Sequence, residues 1–224
     1  MSLSIDQLGT RTSTQDRVAQ AAVRLFSEKG FAATGIRDLG REMGMTSASL
    51  YHYVARKEDL LVSVMSACLT EYLRGARAAV ESSQDPLVQL CRLVHFHVAA
   101  ECANPLTSRV TDREVRSLTG DDRASIIAQR DELDAVYGDV IARGAEQGVF
   151  NLIDPMVSRL VLIEMCNSVA NWYRPDGKLT VVELQDRYSQ LARRLVGATG
   201  RKQVPVGAGS RAMRLASEPT QPAR

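Results

Sequence analysis

Apolar residues recur at helical spacing along most of the chain, and this periodicity constrains the fold more than any other feature of the sequence. Between Thr14 and Lys29 the apolar side chains stand three, four, seven and eight residues apart, so they share one helix face. Ser13 and Asp16 have the spacing of a capping box before this run, and Gly30 follows it. No stretch shows the sustained alternation of a half-buried strand. The sequence therefore predicts an all-α fold.

Capping residues, prolines and glycines divide the chain into about nine predicted helices. Asp85-Pro86 and Asp154-Pro155 each combine a capping aspartate with a proline at the first helical position. The predicted helices cover residues 14–29, 36–43, 47–53, 57–82, 86–103, 105–118, 120–148, 155–173 and 181–196.

Composition and termini exclude several classes of protein. The chain has 224 residues, of which 45% are hydrophobic and 24% charged, as in ordinary globular proteins and unlike disordered or collagen-like chains. The first residues lack the basic and apolar segments of a secretory signal, and no apolar run is long enough to span a membrane. We therefore expect a cytoplasmic protein with no membrane association.

Cysteine and histidine positions raise the question of a metal site. Cys68, Cys91, Cys102 and Cys166 lie far apart, so we expect buried, reduced thiols rather than disulfides or a zinc site. Cys91 with His95, and His97 with Glu101, are pairs four residues apart that can share a metal, but two ligands on a face are too few to close a site. We expect no cofactor and no metal. A small all-α metal-assisted enzyme using His95, His97, Glu101 and Cys91 is kept as an alternative.

The segment from 35 to 54 has the pattern of a helix-turn-helix, with two short helices around a turn that contains Gly44. On the second helix Leu50 and Val54 share one side, and small or hydrogen-bonding side chains occupy the other. A major groove accepts such a surface, because small residues allow close approach and polar ones meet base edges. A helical hairpin with a polar outer face, acting in protein interactions alone, is the other interpretation.

The sequence RVAQAAVRLFSEKGFAATGIRDLGREMGMTSASLYHYVARKEDLL, residues 17–61, resembles the N-terminal DNA-binding domain of TetR-type transcriptional regulators. Carried over by position, this resemblance implies DNA contacts at Arg37, Thr46, Ser47, Ala48, Ser49, Tyr51, His52, Tyr53 and Lys57. Ser49 and His52, then Ser47, are predicted to meet base edges. Tyr51, Tyr53, Thr46 and Lys57 are predicted to hold phosphates, and Arg37 suits either role.

Three positions depart from the usual pattern of that family. Gly35 replaces a common Ser or Thr at the start of the second helix, so we expect Thr34 to cap it instead. Gly40 replaces a common Ala inside this helix, at a cost of about 1 kcal/mol in helix propensity. Arg56 replaces a frequent capping residue, so we expect a looser start to the fourth helix.

The resemblance implies that the C-terminal part binds a small molecule and forms a dimeric four-helix bundle. Glu164, Asn167, Ser168 and Asn171 share one face of an apolar helix, which suits either a ligand pocket or an exposed face. Further predicted ligand residues are His95, Phe96, Arg113, Arg130, Tyr137 and Trp172. Leu184, Tyr188, Leu191 and Leu195 have near-heptad spacing and are predicted at the dimer interface, with packing inside one subunit as the alternative.

These patterns predict a flexible N-terminus (1–12), a DNA-binding domain (13–58), a ligand-binding and dimerisation domain (59–197) and a disordered basic tail (198–224). The chain has a net charge of +2, and most of its excess positive charge lies in the tail, which has five basic residues and one acidic residue. Two roles are open for this tail: non-specific attraction to the phosphates of DNA, or a contribution to solubility alone. DNA binding in the folded part would therefore depend on placed contacts rather than a strong basic field.

The function implied by the resemblance is a ligand-responsive repressor that binds a palindromic operator as a homodimer. The turn Asn171-Trp172-Tyr173-Arg174-Pro175-Asp176-Gly177 and the helix after it are similar to TetR-type regulators of lipid or steroid breakdown. That similarity implies an acyl-CoA thioester or another lipid-derived effector.

Overall fold

The computed structural model describes residues 13–198, which form ten α-helices and one short 3-10 helix, with no strand among them. The all-α prediction is confirmed. The helices are α1 (Thr14–Lys29), α2 (Ile36–Met43), α3 (Ser47–Tyr51), α4 (Lys57–Glu81), α5 (Pro86–Ala103), α6 (Pro105–Arg113), the 3-10 helix (Glu114–Ser117), α7 (Gly120–Glu146), α8 (Pro155–Asn167), α9 (Val169–Trp172) and α10 (Val181–Leu195). The predicted N-terminal segment 1–12 and nearly all of the predicted tail lie outside the described residues.

Three predicted helices end earlier than expected or are broken. Helix α3 ends at Tyr51, and His52 follows as its cap. The span 105–118 is divided between α6 and the 3-10 helix, and the span 155–173 is divided at Ser168 into α8 and α9. The Ser168 hydroxyl donates a hydrogen bond to the Met165 carbonyl at 2.7 Å, a contact by which serine bends a helix.

Two apolar cores organise the described residues. The first joins α1, α2 and α3 to the first half of α4, and it also contains Leu106 and Val110 of α6 and Ile126 of α7. The second surrounds α5, whose Leu90 and Val94 are fully buried against α4, α7, α8 and α10. Because α4 contributes residues to both cores, the N-terminal helices are packed directly onto the rest of the chain.

The four cysteines are free and buried, as predicted. Between residues 13 and 198, none of the helices combines the length and apolar character needed to cross a membrane.

Candidate DNA-binding surface and ligand cavity

Helix α3 is fixed at its start and along its inner side. The Thr46 hydroxyl accepts a hydrogen bond from the Ser49 backbone N–H at 3.1 Å, which caps the helix. Leu50 is fully buried in the first core, and Val54 is only 7% exposed. These contacts hold one side of α3 and leave the opposite side facing outward.

The predicted DNA-contacting side chains form that outward surface. Tyr51 and Tyr53 are 55% and 43% exposed, which are large values for tyrosine rings. The other exposed members are Arg37, Thr46, Ala48 and His52, and Ser47 and Ser49 are half-buried. The sequence-predicted residues on and around α3 are therefore accessible to a partner, and their contacts with DNA stay a prediction.

The start of α2 is capped differently from the expectation. The Asp38 carboxylate accepts a hydrogen bond from the Gly35 N–H at 2.9 Å, and this bond lowers the pKa of Asp38. Thr34 is buried and donates instead to the Gly30 carbonyl at 2.9 Å. The predicted cap at Thr34 was wrong because its hydroxyl bonds the end of α1.

Gly40 allows the turn of the helix-turn-helix to lie against α2. A Cβ atom at residue 40 would stand 2.8 Å from the Met45 carbonyl oxygen, closer than side-chain carbons normally approach. Gly44, in the same turn, has a φ of 64°, a left-handed conformation that favours glycine. The low helix propensity of Gly40 therefore accompanies a close approach that a larger residue would disturb.

Lys57 has a structural role in addition to its predicted phosphate contact. Its ammonium group donates hydrogen bonds to the carbonyls of Phe31 and Thr34, both at 2.8 Å. It also lies 4.1 Å from the centre of the Phe31 ring, within the range of a cation–π interaction. Lys57 thus joins the start of α4 to the turn before α2.

Arg56 does not loosen the start of α4, contrary to the expectation. The Arg56 N–H donates to the Asp59 carboxylate at 3.1 Å, which caps the first turn of the helix. Its guanidinium pairs with Asp59 and lies 3.5 Å from Asp122 of α7, contacts that raise the pKa of Arg56. The expectation failed because the capping carboxylate comes from the third helical residue.

A cavity of about 350 Å³ lies among helices α4 to α8. Its apolar walls include Leu69, Leu133 and Ile163. Of the predicted ligand residues, Arg130, Glu164 and Asn167 line it.

A buried polar network forms one end of this cavity, and of its members sequence reasoning assigned only Tyr137 to the ligand site. The Tyr72 hydroxyl donates to Glu101 Oε1 at 2.7 Å and lies 3.0 Å from the Ser108 hydroxyl. Because Tyr72 has one hydroxyl hydrogen, Ser108 must donate to it. His97 Nε2 lies 3.5 Å from Glu101, and His97 Nδ1 lies 2.6 Å from the Tyr137 hydroxyl.

Burial raises the pKa values of two groups at this end of the cavity, and the sequence contained one sign that a polar network is present. Burial raises the pKa of Tyr72 well above its usual value, and the neighbouring Glu101 adds to the effect. Burial, reinforced by Glu101, also raises the pKa of Asp112 to about 7, although Arg130 lies 3.1 Å away. The available signal was Glu101 itself, a charged residue that continues the apolar face of α5.

Several predicted ligand residues lie outside the cavity lining, which corrects the sequence assignment. Phe96 packs its ring onto Gly75 and meets Tyr72 edge-on. Tyr137 is buried behind His97. His95 lies 4.0 Å from Asp186 of α10, and burial lowers its pKa. The remaining three are exposed: Arg113 donates to the Asn171 side chain, and Trp172 stacks on Tyr188.

The predicted dimer row lies mostly inside the chain. Leu184 and Tyr188 are 1% and 9% exposed and belong to the second core. Leu195 packs against the same core, and Leu191 alone of the four is exposed. Packing inside one subunit therefore accounts for Leu184 and Tyr188, because their heptad-like spacing matches the face of α10 that meets α5.

An exposed apolar face occurs instead on α8. Met156, Val157, Leu160 and Val161 are each at least 44% exposed, and their spacing places them on one side of the helix. Sequence reasoning missed this face because α8 is apolar almost all round.

Helix α6 and the 3-10 helix contact both the cavity and the N-terminal helices. Ser108, Thr111 and Asp112 line the cavity. On the other side, Arg109 donates to the Ser27 hydroxyl of α1 at 3.3 Å, and Glu114 accepts from the Phe31 N–H at 3.1 Å.

Comparison with known proteins defines the class of this helix-turn-helix protein. Residues 19–64 match the family model described as bacterial regulatory proteins, tetR family. Residues 83–196 match the model described as tetracyclin repressor-like, C-terminal domain. The chain is a transcriptional regulator, and it belongs to the TetR family.

Relatives and solved structures agree with this assignment. The chain is 30% identical over 185 residues to the HTH-type transcriptional repressor KstR2 of Mycobacterium tuberculosis, an alignment covering 80% of this chain and 91% of the relative. A tetR-family regulatory protein from Rhodococcus RHA1 superposes with a TM-score of 0.78 at 26% identity, covering 84% of this chain and all of the other. The structure of the ketosteroid transcriptional regulator KstR2 of M. tuberculosis gives 0.78 at 25% identity, covering 86% and 98%.

Family membership sets aside the alternative of a metal-assisted enzyme, because these relatives are transcriptional regulators rather than enzymes. His97 and Glu101 do share a helix face as the spacing predicted, but they belong to the hydrogen-bonded network. In the part of the chain from 13 to 198, no group of three or more His, Cys, Asp or Glu side chains is placed to hold a metal ion.

Proposed function

We propose that this protein is a ligand-responsive repressor that binds a palindromic operator as a homodimer and is released by a small lipid-derived molecule. The main support for DNA binding is that α3 is buried on one side and exposed on the other: Leu50 is buried, and Tyr51 and His52 beside it are exposed. A short helix anchored on one edge presents polar side chains to a major groove.

In this proposal some of the outward residues contact bases and others contact phosphates. Ser49 and His52 meet base edges, with Ser47 next, while Thr46, Tyr51, Tyr53 and Lys57 hold phosphates and Arg37 serves either purpose. Base contacts specify sequence, whereas phosphate contacts fix orientation. Two copies of α3 in a dimer would enter successive major grooves about 34–36 Å apart.

The apolar face of α8 supports the homodimer. Val157 and Val161 are 50% and 44% exposed, and burial of such a face against a second copy is favourable by about 25 cal/mol per Å² of apolar area. Helix α10 lies beside α8 and adds Leu191, so these two helices of each subunit would form the four-helix bundle.

Helix α6 supports the coupling between ligand and DNA. Its residues alternate between the cavity, at Ser108, and α1, at Arg109. A ligand that repositions α6 would change the position of α1, and with it the separation of the two copies of α3. The ligand shifts the population only by the difference in its affinity for the two arrangements.

The cavity and the relatives support an effector derived from lipids. The volume of about 350 Å³ and the apolar walls are those of a small-molecule site. The similarity to KstR2, described as a ketosteroid regulator, favours a steroid or another lipid-derived compound, and acyl-CoA thioesters belong to the same candidate set.

The test is binding of the purified full-length protein to duplex DNA from upstream of its own gene and to random duplex of equal length, across a range of salt. A salt-dependent preference for the upstream duplex is expected, because counterion release accompanies phosphate contacts. Equal affinity for both duplexes at every salt concentration would overturn the proposal.

A further inference from the structure

The inner end of the cavity carries buried polar atoms that nothing in the described chain satisfies. Glu101 Oε2 and Thr111 Oγ1 are buried without a hydrogen-bond partner among residues 13–198, and His97 Nε2 has only its 3.5 Å contact with Glu101 Oε1. All three residues line the cavity. Their residues are no more than 4% exposed. A buried polar group without a partner destabilises the protein, so a cluster of them favours a ligand that supplies the missing bonds.

The hydrogen-bond directions in this cluster indicate what the ligand must supply. Ser108 donates to Tyr72, and Tyr72 donates to Glu101 Oε1. The carboxylate of Glu101 only accepts hydrogen bonds when ionised, so its second oxygen Oε2 is a buried acceptor without a partner among the described residues, in a residue that lines the cavity. The complementary group is a donor, such as a hydroxyl or an ammonium.

The charged residues around the cavity also favour a ligand that donates a hydrogen bond. Among the described lining residues, five carry carboxylates (Glu101, Asp112, Asp131, Asp134 and Glu164) and one, Arg130, carries a guanidinium. Arg130 is already bonded to the Thr111 carbonyl at 2.8 Å and to Asp112 at 3.1 Å. The raised pKa of Asp112 reflects its burial beside Glu101. Asp134 is paired with Arg159 at 3.1 Å, and Asp131 and Glu164 are exposed to water. At the buried end an anionic group would therefore meet chiefly Glu101 and Asp112, where few waters screen their charge.

We propose that the effector is an apolar molecule whose buried end donates a hydrogen bond to Glu101 Oε2, and that the site discriminates against ligands with a carboxylate at that end. This inference rests on the proposed function in placing the effector in this cavity. The apolar walls hold the body of the ligand, and the polar end selects its functional group. Hydroxyl and ammonium ligands share this chemistry.

The test uses three probes with one decyl chain, namely 1-decanol, decylammonium and decanoate, titrated calorimetrically into the full-length protein at pH 8. We expect decanol and decylammonium to bind and decanoate to bind at least tenfold more weakly. The ratio of decylammonium to decanol affinity separates a preference for a cation from one for a neutral donor. Decanoate binding as tightly as the other two, or no binding by any of the three, would overturn the proposal.

Two matched variants test whether Glu101 is the residue that discriminates against decanoate. Glu101→Gln replaces an acceptor by a donor at the buried end, so the tenfold disadvantage of decanoate should shrink or reverse. Glu146→Gln makes the same change at an exposed residue of α7 outside the cavity lining and should leave the ratio within about twofold, because water screens that charge. Equal effects of the two variants would show that the position of Glu101 is not what discriminates, and would refute its role. If Glu101→Gln does not fold, the wild-type ratios still decide.

Failure of this inference is distinguishable from failure of the proposed function. The probe titrations contain no DNA, and the operator experiment contains no ligand. Tight binding of decanoate with a clear operator preference would overturn only the ligand class. Loss of operator preference with the expected probe ratios would overturn only the regulatory role.

Discussion

Glu114 of the 3-10 helix accepts a hydrogen bond from the backbone N–H of Phe31 at 3.1 Å, across 83 positions of sequence. The second carboxylate oxygen of Glu114 accepts from the Ser117 hydroxyl at 2.8 Å, which fixes the orientation of the side chain. Phe31 itself is buried against Phe26 of α1. A single carboxylate thus connects the segment after α6 to the end of α1, beside the carbonyls that Lys57 holds.

Replacing Glu114 by Ala should loosen the turn between α1 and α2. The Phe31 N–H would lose its partner, at a cost of about 1–3 kcal/mol for a group that is left partly buried. Hydrogen exchange of peptides covering residues 30–35 should accelerate, while exchange in α5 should stay unchanged. Arg116→Ala, at an exposed position of the same 3-10 helix, is the control. Unchanged exchange in Glu114→Ala would show that the contact carries no stability.

Lys57→Met should lower the free energy of unfolding, because two carbonyls lose a charged donor. Hydrogen bonds to charged groups contribute about 1.5–3 kcal/mol each, so we expect a loss of at least about 1 kcal/mol in urea titrations. Lys178→Met removes a lysine at an exposed turn and should have little effect. A variant of normal stability that binds every duplex more weakly would assign Lys57 to phosphate binding alone.

Substituting Ala for Ser49 and His52 should reduce the preference for operator over random duplex without unfolding the protein. Each base-edge contact is worth about 1–3 kcal/mol of discrimination. The measurement is the ratio of the two dissociation constants at fixed salt. Gln84→Ala, in the exposed turn between α4 and α5, serves as the control. An unaltered ratio in the double variant would remove both residues from base recognition.

Glutamate at Val157 or Val161 should dissociate the dimer. The change places a charge in the middle of the apolar α8 face, and a tenfold rise in the dimer dissociation constant corresponds to about 1.4 kcal/mol. Sedimentation velocity at several concentrations measures the effect, with Ala128→Glu on the exposed side of α7 as the matched control. If both α8 variants sediment as the wild type does, the interface lies on another face.

The contribution of Asp112 to the stability of the protein should fall as pH rises from about 4 to 7. Its pKa is about 7 in the fold and has a reference value of 3.8, so between these values the folded state holds the proton more strongly. Stability from this group is then fully present below pH 3.8 and is lost as pH rises from there to about 7. Asp112→Asn should flatten the slope of urea midpoint against pH, and Asp131→Asn, at an exposed position, should not. A third of the Asp112 side chain is exposed, so the effect is small.

Local signals in the sequence predicted most of the helix boundaries and the DNA-binding surface. The capping box of Ser13 with Asp16, and the start of α5 at Asp85-Pro86, are confirmed. Leu50 and Val54 are buried, and Ala48 and His52 on the opposite side are exposed, as the helical spacing predicted. These features depend on neighbours within a few residues, so periodicity and capping chemistry suffice to find them.

The lining of the cavity was predicted less well because its residues come from five helices. Glu164 and Asn167 were found from the polar face of one helix, whereas Tyr72 and Glu101 become neighbours only when α4 packs on α5. The same limit applies to α10, where a heptad-like row predicted a partner chain. Spacing identifies an apolar face but does not say which surface covers it.

The sequence by itself determined the helical class, the family and the outward face of α3, since each is recorded in residues that are close along the chain. The tertiary structure decided which polar groups share a cavity, which apolar row remains exposed, and how Glu114 reaches Phe31. Those relationships depend on how helices distant in sequence pack together. Burial then gives a carboxylate such as Glu101 properties that its position in the chain does not reveal.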